Sequence, residues 1–323
     1  MKNSLVALRY SKALINYSEN KKASKKVYEE MKVISKIFSQ NKKVLNFFSN
    51  PVVSIKNKKN LIFKLINNIG IKREKAVFDL SDTRSSPHIV QRYESFLQRF
   101  PDGRPYHCLV LELCDFNLST YINILHHPEN MDKDKYVFLS SCIHDIMSGL
   151  AWMHSHNFTH RDIKPENILV KTDQETKKWV LKLADFNSAV KTDATNSETY
   201  VATRWYRSPE ALFELPQKIG PPIDIWAAGI VFYQILNRYP PVMQDSHEAQ
   251  KDALCKYIFK RPEQAVLSLL KSTPLKQLYI ESRGTDNTID NIIIRCLGLL
   301  PELRPTCDQI LEELKSDGRD GSD

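Results

Sequence analysis

The sequence predicts an α+β chain in two parts: a small all-α helical bundle over residues 1–70, then a mixed strand-and-helix domain over residues 73–323. Charge, periodicity and glycine placement carry that prediction. Residues 1–72 hold sixteen Lys/Arg against three acids, a net +13, whereas residues 73–323 hold 30 against 35, a net −5. Such asymmetry marks two segments of different duty. Apolar residues recur at helical spacing before residue 70, and strand-like runs alternate with helical ones after it. The nine glycines (70, 103, 149, 220, 229, 284, 298, 318 and 321) include no G-x-G pair, so no glycine-rich phosphate loop is encoded.

In the first part, Val6, Tyr10, Ala13 and Tyr17 recur at i, i+4, i+7 and i+11, and Val27, Met31, Ile34 and Phe38 repeat that spacing. Each set puts an apolar stripe on one helix face. Val44 to Phe48 form a short apolar turn that Ser49-Asn50-Pro51 stops. Ser54 is a cap for a fourth helix, with Leu61, Ile62, Leu65, Ile66 and Ile69 inward and Gly70 as its stop. The lysines fall on outer faces. They read as solvated surface, as a docking face for an acidic protein partner, or as general attraction to nucleic acid. No aromatic–basic interleaving supports specific nucleic-acid binding.

In the second part, Leu139, Ile143, Ile146, Leu150 and Met153 set a long helix over 133–156. Ile168-Leu169-Val170 and Trp179-Val180-Leu181-Lys182-Leu183-Ala184 are strand-like runs around a polar turn. Ile225, Trp226, Ile230, Phe232 and Ile235 belong to a further apolar helix. No apolar run approaches the ~18 residues of a membrane span, and the N-terminus is too polar for a secretory signal. The six cysteines lie in no C-x-x-C pair, which reads as idle thiols in a reducing, cytoplasmic compartment.

Chemistry is concentrated in a set of ordered motifs. These are His160-Arg161-Asp162-Ile163-Lys164-Pro165-Glu166-Asn167, Asp185-Phe186-Asn187, Ser208-Pro209-Glu210, Asp224-Ile225-Trp226 and Arg304-Pro305-Thr306. In order and spacing they resemble the signature of the eukaryotic protein kinases, in the serine/threonine form. The resemblance implies that ATP and Mg²⁺ are the cofactors and that a protein Ser/Thr hydroxyl is the acceptor. Asp162 would orient that hydroxyl and accept its proton, and Lys164 would neutralise the moving phosphoryl group. Asn167 and Asp185 would be the hard oxygen ligands for Mg²⁺.

By the same resemblance Leu111 is the gatekeeper, with the backbones of Glu112 and Cys114 binding adenine at a hinge near 112–118. The large lobe then runs over 119–316, followed by a polar tail at 317–323. Glu210 and Arg304 match a buried ion pair, and Asp224 a carboxylate that holds the catalytic-loop backbone. Residues 198–210 are similar to the activation segment of cyclin-dependent and mitogen-activated kinases, which prefer proline after the target residue. Tyr200 falls at a phosphorylation position, and its phosphate could pair with Arg204 or Arg207 and with Arg161. Glu198 stands where that group has a threonine.

Departures are equally specific. The glycine-rich loop and the Val-Ala-Ile-Lys lysine are missing, so the resemblance gives a truncated kinase-like fold with a partial small lobe. Residues 73–90 resemble the regulatory helix and the strand entry after it. Glu74 is the candidate for that helix's glutamate, with Lys64 or Lys72 as possible partners. Asn187 replaces the usual glycine after Asp-Phe. Losing a preorganised charge-stabilising donor typically costs about 10²–10³ in rate, so impaired activity is expected. Separately, Arg9-Tyr10-Ser11-Lys12-Ala13-Leu14, Val27-Tyr28-Glu29-Glu30 and Asn50-Pro51-Val52 resemble the start of the ATP synthase delta subunit over residues 3–69. Three readings follow: an impaired kinase, a pseudokinase-like interaction module, or a fusion retaining a stator-type segment.

Overall fold

The computed structural model describes residues 61–66, 68–80, 86–99, 105–127, 135–172, 178–192, 203–215, 219–266 and 287–318. The helices expected over 6–17 and 27–38, the apolar turn at 44–48, and residues Glu198 and Tyr200 lie outside these. The chain forms two compact units, residues 1–65 with 94–110, and residues 66–93 with 111–323.

The smaller unit is built on a three-stranded sheet of β1 (Leu61–Ile66), β2 (Arg92–Arg99) and β3 (Pro105–Glu112), in the order β1-β3-β2. This corrects the fourth helix expected from Ser54 to Gly70. Leu61–Ile66 is a strand, and a separate helix, α1 (Asn68–Phe78), begins two residues later with Gly70 inside it. A run of six, largely apolar residues fits either period. Here the run pairs with β3, and the helical spacing that joined Ile66 to Ile69 crossed an element boundary.

In the larger unit, β4 (Phe116–Asn117) leads into α2 (Leu118–Leu125), where the Asn117 side chain caps the helix by accepting from Thr120 N at 3.0 Å. The long α3 (Lys135–Ser155) follows the sequence expectation and buries Leu139, Ile143, Ile146, Leu150 and Met153. Next come β5 (Phe158–Thr159), β6 (Ile168–Thr172), β7 (Trp179–Leu183) and β8 (Val190–Lys191). Strands β6 and β7 form an antiparallel hairpin in register Val170↔Leu181, with β4 on the far side of β6. Strand β5 pairs with β8. Two segments that carry the ordered sequence motifs, 160–167 and 184–188, are thereby suspended between two short ladders.

The remaining helices are α4 (Pro209–Leu212), α5 (Pro222–Asn237), α6 (His247–Ala253), α7 (Thr288–Cys296) and α8 (Cys307–Ser316). Helix α5 is apolar around most of its circumference and lies in the core, with Trp226 and Phe232 fully buried. Gly229 permits its approach to α7, since a Cβ there would meet Cys296 Cβ at 2.8 Å. All six cysteines are free thiols, five of them buried. No helix among the described residues is long and apolar enough to cross a membrane.

Candidate active site

Asp224, at the start of α5, fixes the 160–167 loop. Its carboxylate, 1% exposed, accepts from His160 N and Arg161 N, both at 2.8 Å, and contacts His154 Nε2 at 3.0 Å. Arg161 is held at φ 66°, a conformation that costs a non-glycine residue about 1–3 kcal/mol. Two charge-assisted bonds to Asp224 offset that strain. Arg161 Nε donates to Ser188 O at 2.8 Å, tying the loop to the segment after Asp185.

His160 makes a second tie. It is fully buried, and desolvation lowers its pKa despite nearby carboxylates, so the ring is neutral. Its Nε2 lies 3.2 Å from Ala184 O and its Nδ1 3.3 Å from Asp162 N. Only the tautomer with Nε2–H satisfies both: it donates to Ala184 and accepts from Asp162. The ring also packs on Phe186 at 5.4 Å between centroids.

Asp162 is the hub. Its Oδ1 accepts from Thr203 N at 3.0 Å and from the Thr203 hydroxyl at 2.9 Å. Its Oδ2 accepts from Lys164 Nζ and from Asn167 Nδ2, each at 2.9 Å. Burial acts to raise the Asp162 pKa. The hydrogen bonds and charge of Lys164, with the Thr203 hydroxyl, outweigh it and hold the carboxyl below its ordinary value. Lys164 Nζ also donates to Thr203 Oγ1 at 2.8 Å, closing a ring of three side chains.

Asn167 links this ring to the next loop. Its amide nitrogen donates to Asp162, which leaves the carbonyl oxygen as the atom suited to a cation, and its backbone oxygen accepts from Ala184 N at 2.9 Å. Asp185 therefore follows directly from a residue bonded to Asn167. It adopts φ 64°, ψ 66°, and directs the chain into the buried turn at Phe186. Phe186 meets Phe78 of α1 edge-on at 5.2 Å, so the helix carrying the fully buried Glu74 rests on this turn. The side chains of Lys64 and Lys72 lie outside what is described.

At the hinge, Leu111 is buried and Glu112 is 1% exposed. Glu112 N donates to Gln91 O at 2.9 Å, so any adenine contact through the Glu112 backbone falls to its carbonyl. Its carboxylate accepts from Gln91 N at 2.8 Å and pairs with Lys182 Nζ at 3.0 Å and with Lys171. Burial opposes ionisation here too, but the two lysines keep the Glu112 pKa low. Burial, with the Glu112 charge, pushes the Cys114 thiol up to about 12.

The regulatory candidates are dispersed. Arg204 donates to Gln244 O and Asp245 O, and Arg207 contacts His247 Nδ1 at 3.0 Å. Arg161 instead faces Ser188. Glu210 and Arg304 form a fully buried bidentate pair with both N···O distances at 2.7 Å, and Arg304 lies over the Trp226 ring at 5.2 Å.

The structure brings Asp162, Lys164 and Asn167 together; sequence reasoning did not select Thr203, His160 or Lys182. Thr203 carried one available signal, a hydroxyl residue at the rim of the activation segment. Lys182 carried none, because a lysine alternating with apolar residues in a strand reads as solvent-facing.

A family model described as "Protein kinase domain" matches residues 28–314. Its first matched residue lies inside residues 3–69. Among similar proteins, cyclin-dependent kinase-like 2 of Rattus norvegicus is 32% identical over 219 residues, covering 63% of this chain and 41% of its own length. Cyclin-dependent kinase-like 1 of Caenorhabditis elegans is 40% identical over 148 residues, covering 45% of this chain and 38% of its own. Cyclin-dependent kinase-like 4 of Homo sapiens is 32% identical over 253 residues, covering 70% and 59%. The chain thus spans about four to six tenths of the length of these relatives.

Proposed function

The chain belongs to the protein kinase family, and on that premise we propose that it transfers the γ-phosphoryl group of ATP to a serine or threonine hydroxyl of a protein. The observation that carries this reading is the Asp162 carboxylate, ionised and bracketed by Lys164, Asn167 and Thr203. Phosphoryl transfer requires positioning and charge neutralisation rather than a covalent intermediate. An acceptor hydroxyl beside Asp162 would be oriented by it and would lose its proton to it. Lys164, already 2.9 Å from Asp162, supplies the positive charge for the moving group.

Asn167 and Asp185 would hold Mg²⁺, since an amide oxygen and a carboxylate are the hard ligands this ion takes. When bound, the ion would supply the positive charge that neutralises the phosphates. The carbonyl of Glu112 and the backbone of Cys114, behind Leu111, would seat the adenine. Without a glycine-rich loop, the rate would fall below ordinary kinase turnover by about 10²–10³ for each lost donor.

The likeness of residues 198–210 to the cyclin-dependent group, together with the cyclin-dependent kinase-like relatives, supports a preference for proline after the target. Tyr200 would be the activating phosphosite, and Tyr200→Phe would then leave activity unresponsive to an upstream kinase. The +13 segment over 1–72 would dock an acidic protein partner. For residues 3–69 a stator-type origin is supported by sequence motifs alone. Free thiols at all six cysteines support an intracellular setting.

Transfer of labelled phosphate to matched Ser-Pro and Ser-Ala peptides tests the proposal. The wild type should label the first faster than the second, and Asp162→Asn should label neither. Equal labelling by wild type and Asp162→Asn would remove the catalytic reading and leave an interaction module.

A further inference from the structure

Away from the catalytic loop, His88, His144 and Asp145 form a cluster whose ligand-type atoms all lie within 4.8 Å of one another. His144 and Asp145 are consecutive on α3, and His88 lies in the turn that precedes β2. Asp145 Oδ1 is 3.1 Å from His144 Nδ1 and 3.5 Å from His88 Nδ1. The two imidazole rings stand nearly perpendicular, at 80°, with centroids 5.8 Å apart.

We propose that His88 Nδ1, His144 Nδ1 and Asp145 Oδ1 bind a Zn²⁺-class transition-metal ion. Ligand atoms about 2.0–2.1 Å from a tetrahedral zinc are separated from one another by about 3.3–3.4 Å. Two of the three separations, 3.1 and 3.5 Å, straddle that edge length, and the third lies within 4.8 Å. Two imidazoles and a carboxylate form a borderline donor set, suited to zinc and its neighbours rather than to Mg²⁺ or Ca²⁺. The fourth position would fall to water or to the Leu181 carbonyl, whose oxygen lies 3.2 Å from the same His88 nitrogen.

The surroundings hold the ligands in place. Asp145 Oδ2 accepts from Leu181 N at 2.8 Å, a bond that already orients the carboxylate. Gly149, one turn further along α3, permits the helix to approach, since a Cβ there would meet His88 O at 3.0 Å. Binding requires each ring neutral with its proton on Nε2, which leaves Nδ1 free as the ligand atom. The bound ion would staple α3 to the 86–90 turn and to β7. This inference does not rest on the proposed kinase activity.

Co²⁺ and Zn²⁺ titrations of the full chain, stripped of metal, test it. The wild type should bind one equivalent of Co²⁺ with the intense visible absorption of a four-coordinate, nitrogen-ligated ion, and Zn²⁺ should displace it. His144→Gln, on the more exposed ligand, and Asp145→Asn, which keeps an acceptor for Leu181 N, should each weaken binding at least about 100-fold. Their metal-free melting temperatures provide the folding control. Asp185→Asn should retain the absorption, because an oxygen-ligated active-site ion is not its source. Absence of the four-coordinate spectrum, or its persistence in both His88→Gln and His144→Gln, would overturn the assignment.

Discussion

Thr203 grips Asp162 twice through a single oxygen: its N–H at 3.0 Å and its hydroxyl at 2.9 Å both donate to Asp162 Oδ1. The other oxygen is left to Lys164 and Asn167. Thr203 thus sets the rotamer of the Asp162 carboxylate, the group proposed to orient the acceptor hydroxyl.

Thr203→Ala keeps the backbone donor and removes the hydroxyl from Asp162 and Lys164. The expected result is a fall in kcat of about 10–10² with an unchanged KM for ATP, the size of one lost hydrogen bond to a charged group. Thr203→Ser should restore most of the rate. Steady-state kinetics on the three forms check this, and equal rates for Ala and Ser would contradict it.

The low pKa of Asp162 makes a signed prediction. Burial alone would raise it, but Lys164 and Thr203 prevail and hold it below the ordinary 3.8. A carboxylate held low contributes stability that is present above its unfolded value and disappears as pH falls through its folded value. The stability gap between wild type and Asp162→Asn should stay flat down to about pH 5 and narrow below about 3.9. Urea titrations across that range measure it; a gap that closed between pH 6 and 8 would mean that the carboxyl is not held low.

Glu210 and Arg304 are both fully buried, so removing one partner strands a charge. Arg304→Ala should destabilise the chain by about 3–5 kcal/mol. Replacing both with apolar residues of similar volume should cost much less, because no charge is then left unpaired. Denaturant unfolding of the single and double variants distinguishes this pair from a dispensable one.

The motifs were legible because each packs short-range chemistry into a few consecutive positions. Loop 160–167 folds back on itself, and Asn167 reaches Asp162 across five residues. The long α3 was visible through periodicity, and α5 through its concentration of apolar residues over 225–235. The strand Leu61–Ile66 was misread because six apolar-rich residues acquire their identity from β3, a partner some 40 residues away in the chain. Thr203 and Lys182 escaped selection for the same reason. Their partners, Asp162 and Glu112, lie 41 and 70 positions away, so sequence spacing held no trace of the contacts.

The account rests on Asn167 and Asp185 serving one cation–nucleotide locus beside Asp162. Electron paramagnetic resonance of Mn²⁺ titrated into the chain with ADP reads that locus directly. We expect a nucleotide-dependent bound signal in the wild type and in His144→Gln, retained in Asp162→Asn and lost in both Asn167→Ala and Asp185→Asn. A bound signal that survives those last two substitutions would contradict the account.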